Sequence, residues 1–203
     1  MLLLPGSVWA QGFWEQFSYE GLRLSAIGVD VGPVWSNRLT TGPVGALRID
    51  FGHFAPKVRV LVSASYFRRE FRQEEIDEFE RQLENIIDDP SVTIDLGAIT
   101  WADYGLALDF HYLFEPARRV RPYAGLGLGL HLRNGSGDAI SGTFVEGALD
   151  MVDVGLIGSL GLEIGLTRSL VLTADARGEA TTELLLASVR GGITYRLPHK
   201  DSR

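Results

Sequence analysis

Eight stretches of the chain alternate apolar residues with small or charged ones, and the links between them are short and long by turns. In the clearest, 102–114, the even positions are Ala, Tyr, Leu, Leu, Phe, Tyr and Phe, and the odd ones Asp, Gly, Ala, Asp, His and Leu. Side chains on a strand project to opposite faces with period two, so this stretch is a ribbon with one apolar and one polar side. The pattern predicts strands at 21–32, 43–53, 57–69, 101–114, 120–133, 150–165, 169–179 and 184–197. Tight links at 53–57, 115–119 and 165–168 alternate with a Gly/Pro/Asn/Thr-rich loop after the first strand, the long stretch 70–100 and the Gly/Ser-rich 134–149. The last connection, 179–183, is brief. Loops sorted in this way describe an all-β, eight-stranded antiparallel up-and-down barrel with both chain ends on one side.

Residue size decides which face points out. The third strand sets Val58, Val60, Val62, Ala64 and Tyr66 against Arg59, Leu61, Ser63, Ser65 and Phe67. The fifth sets Ala124, Leu126, Leu128, Leu130 and Leu132 against Tyr123, Gly125, Gly127, Gly129, His131 and Arg133. An eight-stranded barrel is only just wide enough inside to be filled by side chains, so the small residues belong within. The Leu/Val face then looks outward, and only lipid tolerates that. Closure also leaves no unpaired strand edge in hydrocarbon. Aromatic residues should form two girdles: Trp35, Tyr66, Trp101 and Tyr104 at the outer rim, Phe51, Tyr112, Phe114 and Tyr195 at the inner. In the first strand Leu22 and Leu24 share one phase and Ile27, Val29 and Val31 the other, which predicts a bulge near Ser25 and Ala26.

Composition narrows the picture further. A chain of 203 residues suits one such barrel, no cysteine is present, and no apolar run reaches the ~18–20 residues of a transmembrane helix. Twenty-four glycines against eight prolines fit a crowded strand interior. Residues 1–10 have the look of a signal-peptide remnant, with Val8 and Ala10 at the small-residue positions before a cleavage point. Residues 11–20, with Phe13, Trp14, Phe17 and Tyr19, are expected to be a periplasmic interfacial segment. The barrel then occupies 21–197, with an acidic helical insert at 70–91, and 198–203 form a tail.

The run Arg121-Pro122-Tyr123-Ala124-Gly125-Leu126-Gly127-Leu128-Gly129, within the eightfold pattern, resembles the central strand of the small eight-stranded outer-membrane barrels of the OmpA, OmpX and OmpW type. The resemblance spans roughly 21–197. It implies an integral, porin-like or adhesive membrane protein in the outer membrane of a Gram-negative-type bacterium, expected to be a monomer among lipid and lipopolysaccharide. Family chains usually end in an aromatic residue that closes the last strand, whereas here Tyr195-Arg196-Leu197 is followed by six further residues.

Candidate chemistry lies on the inward phase. Arg48, Asp50, Arg59, Asp103, Asp109, His111 and Arg121 share it with His131, Asp153, Glu163, Asp175, Arg177, Glu179, Arg190 and Arg196. Charges of both signs in a narrow lumen must pair, because an unpaired buried charge costs several kcal/mol. They are read as a plug, and the alternative is a narrow channel for small solutes or ions. Residues 70–90 carry nine acids against Arg72 and Arg81, a net of −7 that equals the charge of the whole chain. Ile76, Phe79, Leu83, Ile86 and Ile87 recur there at helical spacing, and Pro90 ends the run. This predicts an acidic amphipathic helix in the longest outer loop, either resting on the barrel rim or, through Ile76, Phe79, Leu83 and Ile86, a docking helix for a protein partner. Val92, Ile94, Leu96 and Ala98 continue the even phase and suggest that the fourth strand begins above the membrane. Cofactors, metals and nucleic acid are not expected: Gly125–Gly129 lies inside a strand, not in a phosphate-binding turn. A lipid A-modifying enzyme would need an outward His/Ser/carboxylate cluster that the phases do not supply. A soluble lipocalin-like carrier would need the apolar face inside.

Overall fold

The computed structural model describes residues 22–87, 94–115 and 118–198. The expected signal remnant, the aromatic segment from Phe13 to Tyr19, Asp88, Asp89, Pro90, Val92 and the residues from 199 onward lie outside the described residues.

Eight strands follow in chain order: β1 (Leu22–Ser36), β2 (Gly42–Ala55), β3 (Val58–Glu70), β4 (Thr100–Leu113), β5 (Val120–Ser136), β6 (Met151–Gly165), β7 (Leu170–Ala180) and β8 (Leu185–Arg196). Helix α1 (Gln73–Ile87) lies between β3 and β4, and the short α2 (Phe144–Leu149) between β5 and β6. Each strand pairs antiparallel with the next, and β8 pairs with β1 to close the barrel. The register between β1 and β2 shifts between Leu22 and Ala26, where the two apolar phases of the first strand meet. That irregularity leaves both Leu24 and Ile27 exposed although their spacing is odd.

The apolar phase faces out. On β5, Leu126 is 74% exposed and Leu128, Leu130 and Leu132 are exposed with it, while Tyr123, His131 and Arg133 are buried. An apolar belt on this scale is far beyond the patches soluble monomers carry, so the soluble-carrier alternative is overturned and the surface is one for lipid. Toward the long-loop end Tyr66 and Tyr104 pack at 4.9 Å between ring centres, with Trp35 exposed on β1. Toward the other end Tyr112 meets Phe114 edge-on at 5.4 Å, Lys57 lies 5.9 Å from the Tyr112 ring, Tyr195 is exposed and Phe51 half-buried. Trp101 is the correction. It shares the odd phase of Asp103, points inward and is 3% exposed, so it belongs to no girdle.

All the strands but the 11-residue β7 exceed the ~9–11 residues that span a bilayer, β5 reaching 17, and the surplus lies toward the long loops. There the inward positions turn apolar: Val34, Val44, Phe67, Trp101 and Leu186 join Leu39, Phe71, Leu96, Ile99, Ile140, Val145 and Leu184 in one buried cluster. Helix α1 turns its stripe onto this cluster, with Ile76 buried and Phe79 and Leu83 packed against it. Those three residues therefore seal the barrel end, in place of the docking surface suggested above; the side chain of Ile86 lies outside the described residues. Residues 94–99 are not an extension of β4. Gly97 takes a left-handed φ of 61°, and Leu96 and Ile99, of opposite parity, are both buried. Two helix acids hold this descent: Glu84 accepts from the backbone N–H of Ile94 (3.0 Å) and Glu80 from that of Leu96 (2.7 Å).

Leu128→Arg, near the centre of β5, should lower the stability of vesicle-refolded protein by about 2–4 kcal/mol in urea titration. Phe144→Arg, exposed on the outer loop, should change it by less than about 0.5 kcal/mol.

Candidate functional site: the charged lumen

Period-two alternation on eight paired strands delivers the inward charges to one narrow axis, where they form three tiers. In the tier below the apolar cluster, Arg133 donates to Asp103 (2.9 Å), to Asp153 (2.8 Å) and to the Thr181 hydroxyl (3.1 Å), beneath the Trp101 ring at 5.5 Å. Neither Arg133 nor Asp103 has meaningful access to solvent, their side chains being 0% and 1% exposed. Asp103 also faces His131 Nδ1 at 2.9 Å, and His131 Nε2 faces Glu179 at 2.7 Å. An imidazole that donates from both nitrogens is the cation, so His131 joins the two carboxylates as an imidazolium.

The middle tier follows through Arg177, which donates to both oxygens of Asp109 at 3.1 and 3.0 Å. Arg48 pairs with Asp30 at 2.9 Å and lies 3.8 Å from Asp175, while Thr173 donates to the other Asp30 oxygen (2.9 Å). Arg190 donates to the Ser188 hydroxyl (3.0 Å). In the lowest tier Glu163 takes Arg59 on one oxygen and Arg121 on the other (2.7 Å), and Arg59 reaches Asp50 at 3.4 Å. Arg59 also lies 3.3 Å from His111 Nδ1. A guanidinium only donates, so that nitrogen is the acceptor and the His111 proton sits on Nε2. The His111 ring stacks on Tyr123 at 4.4 Å, and Tyr123 lies where a side chain on Gly161 would have to be.

The column leaves little free space. Gaps of about 10 Å³ lie along the middle tier and just above it, each room for a single water. Below it the barrel opens into a vestibule of about 850 Å³ at the short-turn end, lined by Arg59, Arg121, Arg196, Asp50 and Glu163 among others.

Most of the charges read from the sequence meet in this column. Arg196 does not; it lies at the vestibule wall. Asp30 escaped notice because the broken phase of β1 hides it, although outward Ile27, Val29 and Val31 imply an inward residue between them. Arg133 stood on the inward phase but was not singled out, and all three of its guanidinium nitrogens have a hydrogen-bond partner. Among the described residues, no group of three His, Cys or acidic side chains is arranged to hold a metal.

The sequence matches no protein-family model and no curated protein. Solved structures do match. Neisserial surface protein A is 15% identical with a TM-score of 0.55, the match covering 85% of this chain and 97% of that one. OprG, an outer membrane protein from Pseudomonas aeruginosa, is 14% identical (TM-score 0.51; 90% and 100% covered). Ail, the attachment invasion locus protein of Yersinia pestis, in complex with the heparin analogue sucrose octasulfate, is 14% identical (TM-score 0.50; 86% and 99%). The fold is therefore that of the small eight-stranded outer-membrane barrels.

Asp103→Ala should destabilise the barrel by about 3–5 kcal/mol, since it takes one carboxylate from both Arg133 and His131 in a closed lumen. Adding Arg133→Ala should then cost less than it does alone. A coupling energy near zero in unfolding titrations of the two single variants and the double would mean that the tier does not act as a unit.

Proposed function

We propose that the protein is an integral barrel of a bacterial outer membrane whose role is structural or exercised through its outer surface, with a lumen that carries no solute and performs no catalysis. The observation that carries this reading is the column of ion pairs, whose remaining gaps are water-sized. The apolar belt and its aromatic rims support the membrane setting. So does the shared fold.

The histidines support the non-catalytic part. His131 is held between two carboxylates and His111 between Arg59 and Tyr123, while His53 is exposed at the short-turn end. Ser159 sits across Gly125 from His111, yet its hydroxyl has no hydrogen-bond partner and both side chains are sealed in the lumen.

A surface role would fall to the polar side of α1. Its stripe is spent on the barrel, Glu75 pairs with Arg38 at 2.7 Å, and Glu80 and Glu84 hold the following loop. Glu74, Asp77 and Glu78 remain on the exposed face. This acidic face suits a basic partner or cations bridging to lipopolysaccharide, and repels a polyanion of the kind bound in the Ail complex.

Planar-bilayer recordings should give no steady channel for the native protein. Ile76→Asp, which loosens the cap without touching the ion pairs, should remain silent as well. Large steady conductance from the native protein would replace this reading with the narrow-channel one.

A further inference from the structure

The vestibule at the short-turn end carries more positive charge than its own carboxylates use. Arg23, Arg59, Arg121, Arg168 and Arg196 line it together with Asp50 and Glu163. Glu163 is occupied by Arg59 and Arg121, and Asp50 by Arg59 and by the backbone N–H of Gly52 at 2.7 Å. Arg23, Arg168 and Arg196 form no ion pair among the described residues.

These three come from separate parts of the chain that are brought to the two sides of the end of β8. The backbone N–H of Leu197 donates to Ser25 (2.9 Å) and that of Arg196 to Ser169 (2.7 Å), while Arg196 stands opposite Ala26 in the β1–β8 register. Arg23 and Arg168 are thus each within two residues of a backbone hydrogen bond to the end of β8, one on either side of it. Ser169 and Thr194 add hydroxyls to the same wall. Guanidinium groups present paired N–H donors that match a phosphoryl oxyanion, and three of them supply more donors than the two oxygens of a carboxylate can take up.

We propose that this vestibule is a binding site for phosphoryl anions, with Arg23, Arg168 and Arg196 as its ligands. The anion is either a soluble phosphate compound entering along the barrel axis or the headgroup of a neighbouring anionic lipid. The site is independent of whatever the outer surface does, and it goes beyond the role proposed above.

The test is titration of the full-length protein, refolded in a zwitterionic detergent, with pyrophosphate by calorimetry. The triple variant Arg23→Gln/Arg168→Gln/Arg196→Gln should bind at least about tenfold more weakly. Lys57→Gln/Arg118→Gln/Arg119→Gln removes the same charge from the same end but outside the vestibule, and should bind as the native protein does. Unchanged gel mobility without boiling checks that both variants fold. The source is read in nanodiscs of phosphatidylcholine with and without phosphatidylglycerol. Pyrophosphate binding that survives the anionic lipid assigns the site to soluble anions, and binding abolished by it assigns the site to headgroups. The proposal is overturned if the native protein does not bind pyrophosphate, or if both triple variants lose binding equally.

Discussion

Hydrocarbon offers no partner to a backbone N–H or C=O, and the rest of the molecule follows from that one requirement. Pairing of β8 with β1 removes the last free edge, and closing the sheet with eight strands sets how wide the lumen can be. A lumen of that width admits side chains and almost nothing else. Glycine at 125, 127, 129 and 161 is the local solution where a large neighbour leans across, as Tyr123 does over Gly161 and His111 over Gly125. Arginine and carboxylate reaching from opposite walls are the solution elsewhere. Each ion pair would be expensive alone in so dry a place; several share a member, so removal of one is felt by its neighbours.

The barrel solves its interior twice, and the change of solution marks where the bilayer ends. Within the belt, lipid takes the apolar side chains outside and the ions stay inside. Toward the long loops the strands run past the membrane, and their inward positions become Val34, Val44, Phe67, Trp101 and Leu186. In water the ordinary arrangement returns, with apolar residues gathered inside. Helix α1 and the loop after it complete that small core, so the acid-rich segment is a lid with a buried underside. Arg38 ties it down, bonded to Glu75 on the helix and to Glu183 in the β7–β8 link.

Where a strand keeps one phase, its sequence reveals both faces, and β3, β4 and β5 were legible almost residue by residue. The bulge in β1 was readable too, as a conflict between Leu24 and Ile27. The failures have particular causes. Trp101 looks like a rim residue by type, but its parity is that of Asp103 and His111, and parity prevails when the sheet is regular. The even spacing of Ile94, Leu96 and Ala98 imitates a strand, yet a left-handed Gly97 breaks it and lets Leu96 and Ile99 turn the same way. The stripe of α1 was visible, but whether it met the chain's own rim or another protein depends on inward residues drawn from five different strands. Period and composition do not carry that information. Which carboxylate faces which arginine is likewise a matter of register between strands, and a single strand's pattern is silent on it.

Arginine pairs with carboxylate in each tier of the column that lies between the two mouths of the barrel. The mouths are electrically unlike. Helix α1 presents six acids and one arginine at the long-loop end, while the vestibule at the other end holds five arginines and two carboxylates. Neither imbalance helps the barrel fold, since like charges close together repel. The interior shows that this chain can neutralise charge where burial demands it, down to the threonine that donates to Asp30. Excess charge is left at both water-facing ends, around an interior in which most charges have an oppositely charged partner.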